Sequence, residues 1–141
     1  MQSVKGFTLI ELIMVVVIVG MMALFAIPNY NKSVSKTYEK TGKNNLLIMY
    51  SSQKIKKTSG LDYQTCASTA ACNTALDLSV IANGIDYSCQ ITGGAPPTGF
   101  YCYANRTDNS FKLKNTETTN DPCCCPAASC PTIATTCASC P

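Results

Sequence analysis

The chain has 141 residues, ten Cys, no His and a formal net charge of +3, a length that holds one compact domain plus an appendage. Residues 1–57 carry eight Lys against Glu11 and Glu39, a balance of +6, whereas residues 58–141 carry Arg106, Lys112 and Lys114 against six acids, a balance of −3. A nucleic-acid binder gathers positive charge on a folded face with interleaved aromatics, which the acidic C-terminal part does not offer.

From Phe7 to Ile27 the only charged residue is Glu11, and at about 1.5 Å per residue these positions form a helix just long enough to cross a bilayer core of about 30 Å. A buried helix of a soluble protein would need apolar cover on every side of Leu12, Ile13, Met14, Val15, Val16, Val17, Ile18 and Val19, and the rest of the chain is too polar to supply it. A secretory signal places its small-residue cleavage site after the apolar stretch. Here Lys5-Gly6 precedes it, so cleavage at this point removes residues 1–6 alone.

Lys5-Gly6-Phe7-Thr8-Leu9-Ile10-Glu11 resembles the processing site of type IV prepilins and of the related pseudopilins of type II secretion systems. The resemblance covers the N-terminal helix well and the remainder only in outline. It implies cutting between Gly6 and Phe7 by a membrane-embedded prepilin peptidase on the cytoplasmic side, followed by methylation of the Phe7 amine. It further implies a single-pass protein of the inner (cytoplasmic) membrane with its head outside the cytoplasm. An inner-membrane assembly platform then adds the subunit to a homo-oligomeric helical filament, extracellular or periplasmic. Counting positive residues alone gives the opposite orientation, because Lys32, Lys36, Lys40 and Lys43 follow the span. The cysteine content and the cleavage motif outweigh that count.

A carboxylate inside an apolar helix costs about 2.5–3.5 kcal/mol on insertion scales, so Glu11 needs a compensating partner. The family resemblance implies the freed amine of Phe7 on a neighbouring subunit, which makes assembly the state in which the charge is neutralised. The alternative partner is Glu11's own helix N-terminus.

Pro28 removes a backbone donor, and Gly20 adds a second weak point, which predicts a kink near residues 23–28. The helix resumes through Ile27, Tyr30, Val34 and Tyr38 and ends near Lys57, ahead of Gly60. The expected fold is α+β. Its parts are a leader (1–6), a long helix (7–57) whose N-terminal half (7–27) is transmembrane, a head (58–120) packed on the helix as a small antiparallel β-meander, and a Cys- and Pro-rich tail (121–141). Within the head, Asn73 to Ala82 reads as a short helix, followed by three strands alternating with period two.

If the loop 92–99 closes a hairpin so that Ile91 faces Phe100, then Cys89 faces Cys102 and Tyr87 faces Ala104. With Asp108-Asn109 as the next turn, Ala104 faces Leu113 and Arg106 faces Phe111. One face then carries Ile85, Tyr87, Cys89, Ile91, Phe100, Cys102, Ala104, Phe111 and Leu113. The other carries Asp86, Ser88, Gln90, Tyr101, Tyr103, Asn105, Lys112 and Lys114, as a meander with one buried face requires.

Directly opposed strand residues lie within disulfide reach, which predicts a Cys89–Cys102 bridge. Cys66 and Cys72 can close a short loop, leaving Cys123, Cys124, Cys125, Cys130, Cys137 and Cys140 to pair within a tail too poor in large apolar residues to build a core. Metal binding is the rival use, but Cys137-Ala138-Ser139-Cys140 is a lone C-x-x-C without a well-spaced second pair. No metal or other cofactor is assigned. The sequence shows no His base, no G-x-S-x-G and no phosphate-binding glycine loop, so a non-enzymatic role is expected. The leading reading is a pilin of a type IV pilus-like filament. A pseudopilin of a type II secretion system is the alternative, and a membrane-anchored Cys-rich metal or redox protein is a second.

Overall fold

The structure, a computed structural model, describes residues 6–109 and 111–124. The elements run α1 (Leu9–Thr58), α2 (Thr69–Leu76), β1 (Ile85–Thr92), β2 (Gly99–Arg106), β3 (Lys112–Thr116) and β4 (Cys123–Cys124). The fold is α+β: a long N-terminal helix followed by a small helix and an antiparallel sheet in the order β1-β2-β3-β4. The chain divides into two units, Met1–Lys36 and Thr37–Pro141, and α1 contributes to both.

The 50 residues of α1 include Gly20 and Pro28 without interruption of the helix. Its C-terminus is closed by the αL residue Gly60 (φ 82°). The Leu61 amide bonds the Lys56 carbonyl and the Gly60 amide bonds the Lys57 carbonyl, the paired arrangement of a Schellman ending. Glycine is required there because a Cβ disfavours positive φ.

In the second unit the core consists of α1 residues Leu46 and Met49, together with Tyr63, Leu76, Ile85, Tyr87, Phe100, Phe111, Leu113 and the four sulfurs of Cys66, Cys72, Cys89 and Cys102. The strand register is Ile91 opposite Phe100, Cys89 opposite Cys102, Tyr87 opposite Ala104 and Ala104 opposite Leu113. Period-two alternation therefore positions the pairing, since a slip of one residue would turn the apolar set to the wrong side.

The face assignment needs three corrections. Ile91, assigned to the buried face, is 40% exposed because it lies at the open hairpin end next to the 92–99 loop. Tyr103 and Lys114, assigned to the outer face, are 7% and 6% exposed. They oppose one another across β2 and β3, and the Lys114 Nζ lies 5.9 Å from the Tyr103 ring and 5.2 Å from that of Tyr101. The meander also gains a fourth strand, β4, which pairs Cys123 with Lys114 and Cys124 with Leu113; the start of the tail is thus strand and not loop.

The short helix lies four residues earlier than the apolar pattern suggests. Ser68 Oγ accepts from the Ala71 amide at the N-terminus, and Asp77 ends the helix in the αL conformation. Asn73 does not begin α2. Its side chain accepts from the Val80 amide at 2.9 Å and donates to the Val80 carbonyl at 2.8 Å, fastening the following loop. The apolar Leu78 and Val80, which mimic a helical period, pack from that loop against the core.

Polar contacts unite α1 and the sheet within this unit. Gln53, fully buried, donates to the Gln64 carbonyl at 2.6 Å and accepts from the Gln64 amide at 2.8 Å. Asn115, also fully buried, donates to the Leu46 carbonyl at 2.9 Å. The charge division in the sequence finds its use here: Lys54 pairs with Glu117, Lys43 with Asp121 at 2.5 Å and Lys56 with Asp77 at 2.5 Å. These exposed or half-exposed pairs contribute little individually, but they match the basic helix to the acidic head. The Arg106 guanidinium stacks on Tyr38 at 4.1 Å.

Gly42 permits close approach of α1 to the sheet, since a Cβ there would lie 3.2 Å from Leu113 Cδ1 and 3.5 Å from Phe111 Cε2. Ala gains about 1 kcal/mol of helix propensity over Gly, which offsets mild crowding. Val adds two further carbons against the same wall, and overpacking of this kind costs about 1–3 kcal/mol. Gly42→Val is therefore expected to lower the urea midpoint of the full chain in detergent, with Gly42→Ala near wild type; equal midpoints for all three would refute the close-approach role.

Tyr87 is fully buried, and burial pushes its phenol above the ordinary value of 10.0, while the hydrogen bond from Asn45 Nδ2 at 2.8 Å acts in the opposite sense. A raised folded pKa means that the fold favours the protonated phenol. Its contribution is full below about pH 10 and is lost as pH climbs from there through the folded value. Comparing denaturant midpoints at about pH 9 and pH 11 should show a smaller loss in Tyr87→Phe than in wild type. An identical loss in the two proteins would exclude Tyr87 from the alkaline transition.

Candidate assembly and processing segment

The first unit contains the chain's most concentrated chemical signal. Gly6, Phe7 and Thr8 precede α1 in non-helical conformation, and Phe7 is 87% exposed. Thr8 and Glu11 then form a reciprocal cap. The Glu11 amide donates to Thr8 Oγ1 at 3.3 Å, while the Thr8 amide and hydroxyl donate to Glu11 Oε2 at 3.0 and 2.8 Å. This is the capping-box arrangement, which satisfies two of the amides that a helix start leaves without partners. Its T-x-x-E signature is present in the sequence, so the role of Thr8 was legible there although the reading above assigns it none. Glu11 thus has a local partner within its own chain, and its acidic charge lies in the first turn, where the helix dipole favours it.

From Leu9 to Leu24 every side chain is exposed within the chain. The helix is long and apolar enough to cross a membrane. Its uncovered surface runs all the way round, unlike that of a helix with one apolar stripe, and water is therefore not its natural surrounding. Gly20 has open space about its Cα.

The candidate disulfide residues lie in the second unit. Cys66 is bonded to Cys72 and Cys89 to Cys102, with Cα separations of 5.0 and 4.0 Å. Cys123 is also disulfide-bonded. The expected pairing of Cys125, Cys130, Cys137 and Cys140 lies outside the described residues, and so does the lone C-x-x-C. The sulfurs of Cys66, Cys72 and Cys89 lie within 4.8 Å of one another. Because these three are committed to disulfides, they offer no thiolate to a metal in this state. Gly6, Phe7 and Glu11 fall in the first unit and the described cysteines in the second.

The N-terminal signal has a clear counterpart among known proteins. Residues 1–27 match the family model of the prokaryotic N-terminal methylation motif. Over 50 residues, 36% of this chain and 23% of the relative, the sequence is 46% identical to the type IV major pilin protein of Myxococcus xanthus. It is 55% identical over 38 residues to a type IV major fimbrial protein of Dichelobacter nodosus, covering 27% of this chain and 24% of that protein. The chain thus spans about a quarter of the length of the curated relatives it matches. No solved structure matches it. The similarity to type IV pilins thus lies in the N-terminal segment.

Proposed function

We propose that the chain is a structural subunit of a type IV pilus-like filament, cut between Gly6 and Phe7 and assembled through the apolar half of α1. The observation that carries this reading is a methylation-motif match followed by an apolar helix with no cover of its own. Lipid covers that surface before assembly and the same helices of neighbouring subunits cover it afterwards. Cleavage liberates the Phe7 amine, a cation placed to meet Glu11 of an adjacent copy. That contact competes with the Thr8 cap, so Glu11 exchanges a local partner for an intermolecular one as a subunit joins.

Gly20 and Pro28 supply the points at which the helix loosens or bends in the filament. The partners are copies of this chain, a prepilin peptidase and an inner-membrane platform. The head lies outside the cytoplasm, where its disulfides persist. The similarity to proteins named as major pilins favours the pilus over the secretion pseudopilus, and the oxidised head cysteines favour a scaffold over a redox or metal protein. The role is structural and not enzymatic.

Shearing cells and sequencing the released fibres by mass spectrometry tests the assignment. The chain should be found in the fibres with an N-terminal peptide that starts at Phe7 and carries one added methyl group. Fibres built from chains that retain residues 1–6 would overturn it.

A further inference from the structure

The two head disulfides are not independent. Cys66 and Cys89 face each other as a hydrogen-bonded antiparallel pair, the Cys66 amide to the Cys89 carbonyl at 2.9 Å and the reverse at 2.8 Å. Such pairs have Cα atoms about 5.5 Å apart, inside the disulfide range. Cys89 therefore sits between two possible partners, Cys66 on one side and Cys102 on the other. The Cys89 sulfur lies within 4.8 Å of both members of the Cys66–Cys72 bond. A cleft of about 410 Å³, lined by Thr65, Cys66, Ala67, Ser88, Cys89 and Gln90, opens beside the two facing residues.

We propose that Cys66, Cys72, Cys89 and Cys102 form a single thiol–disulfide exchange unit in which a third bridge, Cys66–Cys89, is within reach. The step begins when a small dithiol, or an extracytoplasmic oxidoreductase of dithiol chemistry, delivers two electrons to Cys89–Cys102 and is itself oxidised to a disulfide. The Cys89 thiolate then attacks the Cys66 sulfur. The Cys66–Cys72 bond breaks, the Cys66–Cys89 bond forms, and Cys72 leaves as a thiolate that takes up a proton. This second step is an isomerisation without net redox change, and its product leaves thiols at Cys72 and Cys102. The facing backbones already hold the geometry the new bridge needs. The isomer unties α2 from the segment before it and β1 from β2, while keeping the Cys66 segment fastened to β1. Return to the two-bridge state takes the reverse exchange, in which the Cys72 thiolate attacks Cys66 and releases Cys89, followed by oxidation of the Cys89 and Cys102 thiols by a disulfide-form oxidoreductase, which is reduced to its dithiol.

The test uses the full chain in detergent. In Cys102→Ser, oxidised and then alkylated at acid pH, peptide mapping should find Cys66–Cys89 with Cys72 labelled in at least about one molecule in ten, beside Cys66–Cys72 with Cys89 labelled. Cys66–Cys72 alone, with Cys89 labelled or joined to a tail cysteine, would overturn the proposal. Should that variant fail to fold, wild-type protein treated with less than one equivalent of dithiothreitol gives an independent answer. Co-labelling of Cys72 with Cys102 supports the exchange unit, whereas labelling confined to the Cys66/Cys72 or Cys89/Cys102 pairs refutes it.

Discussion

A Glu11→Gln chain is expected to lose its leader at the normal rate and to leave the sheared-fibre fraction empty. Gln at the third helical position can still accept from the Thr8 amide, so the capping box survives while the charge does not. The variant therefore separates the two roles that the structure and the proposed function assign to one carboxylate. As a local cap, Glu11 contributes on the scale of other N-terminal caps, about 1 kcal/mol. As the partner of a freed amine in an apolar filament, it makes a charge-assisted contact whose loss leaves the Phe7 cation without its anion, at a cost of several kcal/mol. Thr8→Ala is the companion measurement: it weakens the cap and leaves the charge, and fibre yield should fall only modestly. Wild-type yield from Glu11→Gln would show that charge plays no part in polymerisation. Equal losses from both variants would assign the effect to helix capping.

Removing the Cys89–Cys102 bridge by double substitution to Ala should lower the stability of the second unit by about 3 kcal/mol. The bridge spans 13 residues of sequence, and chain-entropy estimates for a loop of this size give that value. For a domain of this size the loss is a fall in melting temperature of roughly 12 °C or more. The Cys66–Cys72 bridge closes a separation of 6 and should contribute less, about 2 kcal/mol. Thermal unfolding of the full chain in detergent checks both values. The order of the two effects is the informative result, because a larger loss on removing Cys66 and Cys72 would contradict a loop-entropy origin.

The sheet was legible because its information is periodic: alternating residues from Ile85 to Leu113 fit a single register, and that register brings Cys89 opposite Cys102. The processing motif was legible for a different reason, being a contiguous stretch of seven residues whose chemistry requires no folding. The α2 boundary was not. Ser68, the effective cap, precedes the apolar pattern, and Asn73 bonds a loop that looks helical by spacing alone. Gln53, Asn115 and Gly42 were also invisible, since each acts on a group distant in sequence: Gln53 on the Gln64 backbone, Asn115 on Leu46 and Gly42 on Leu113. A polar side chain in a sequence gives no sign that a buried carbonyl awaits it. The apparent outer position of Lys114 misleads similarly, because alternation specifies a face and not what lies over it.

The backbone pairing of Cys66 with Cys89 bears on the proposed filament, which would hold heads side by side at high local concentration. An unpaired strand flank is a template for another chain's backbone, and proteins that crowd must block such flanks. Here the outer side of β1 has its Cys89 amide and carbonyl already engaged by Cys66, and among the described residues the opposite margin of the sheet is β4, Cys123–Cys124. In the proposed filament a neighbouring head would meet Cys89 backbone groups that are already bonded, which limits strand addition at that margin of the sheet.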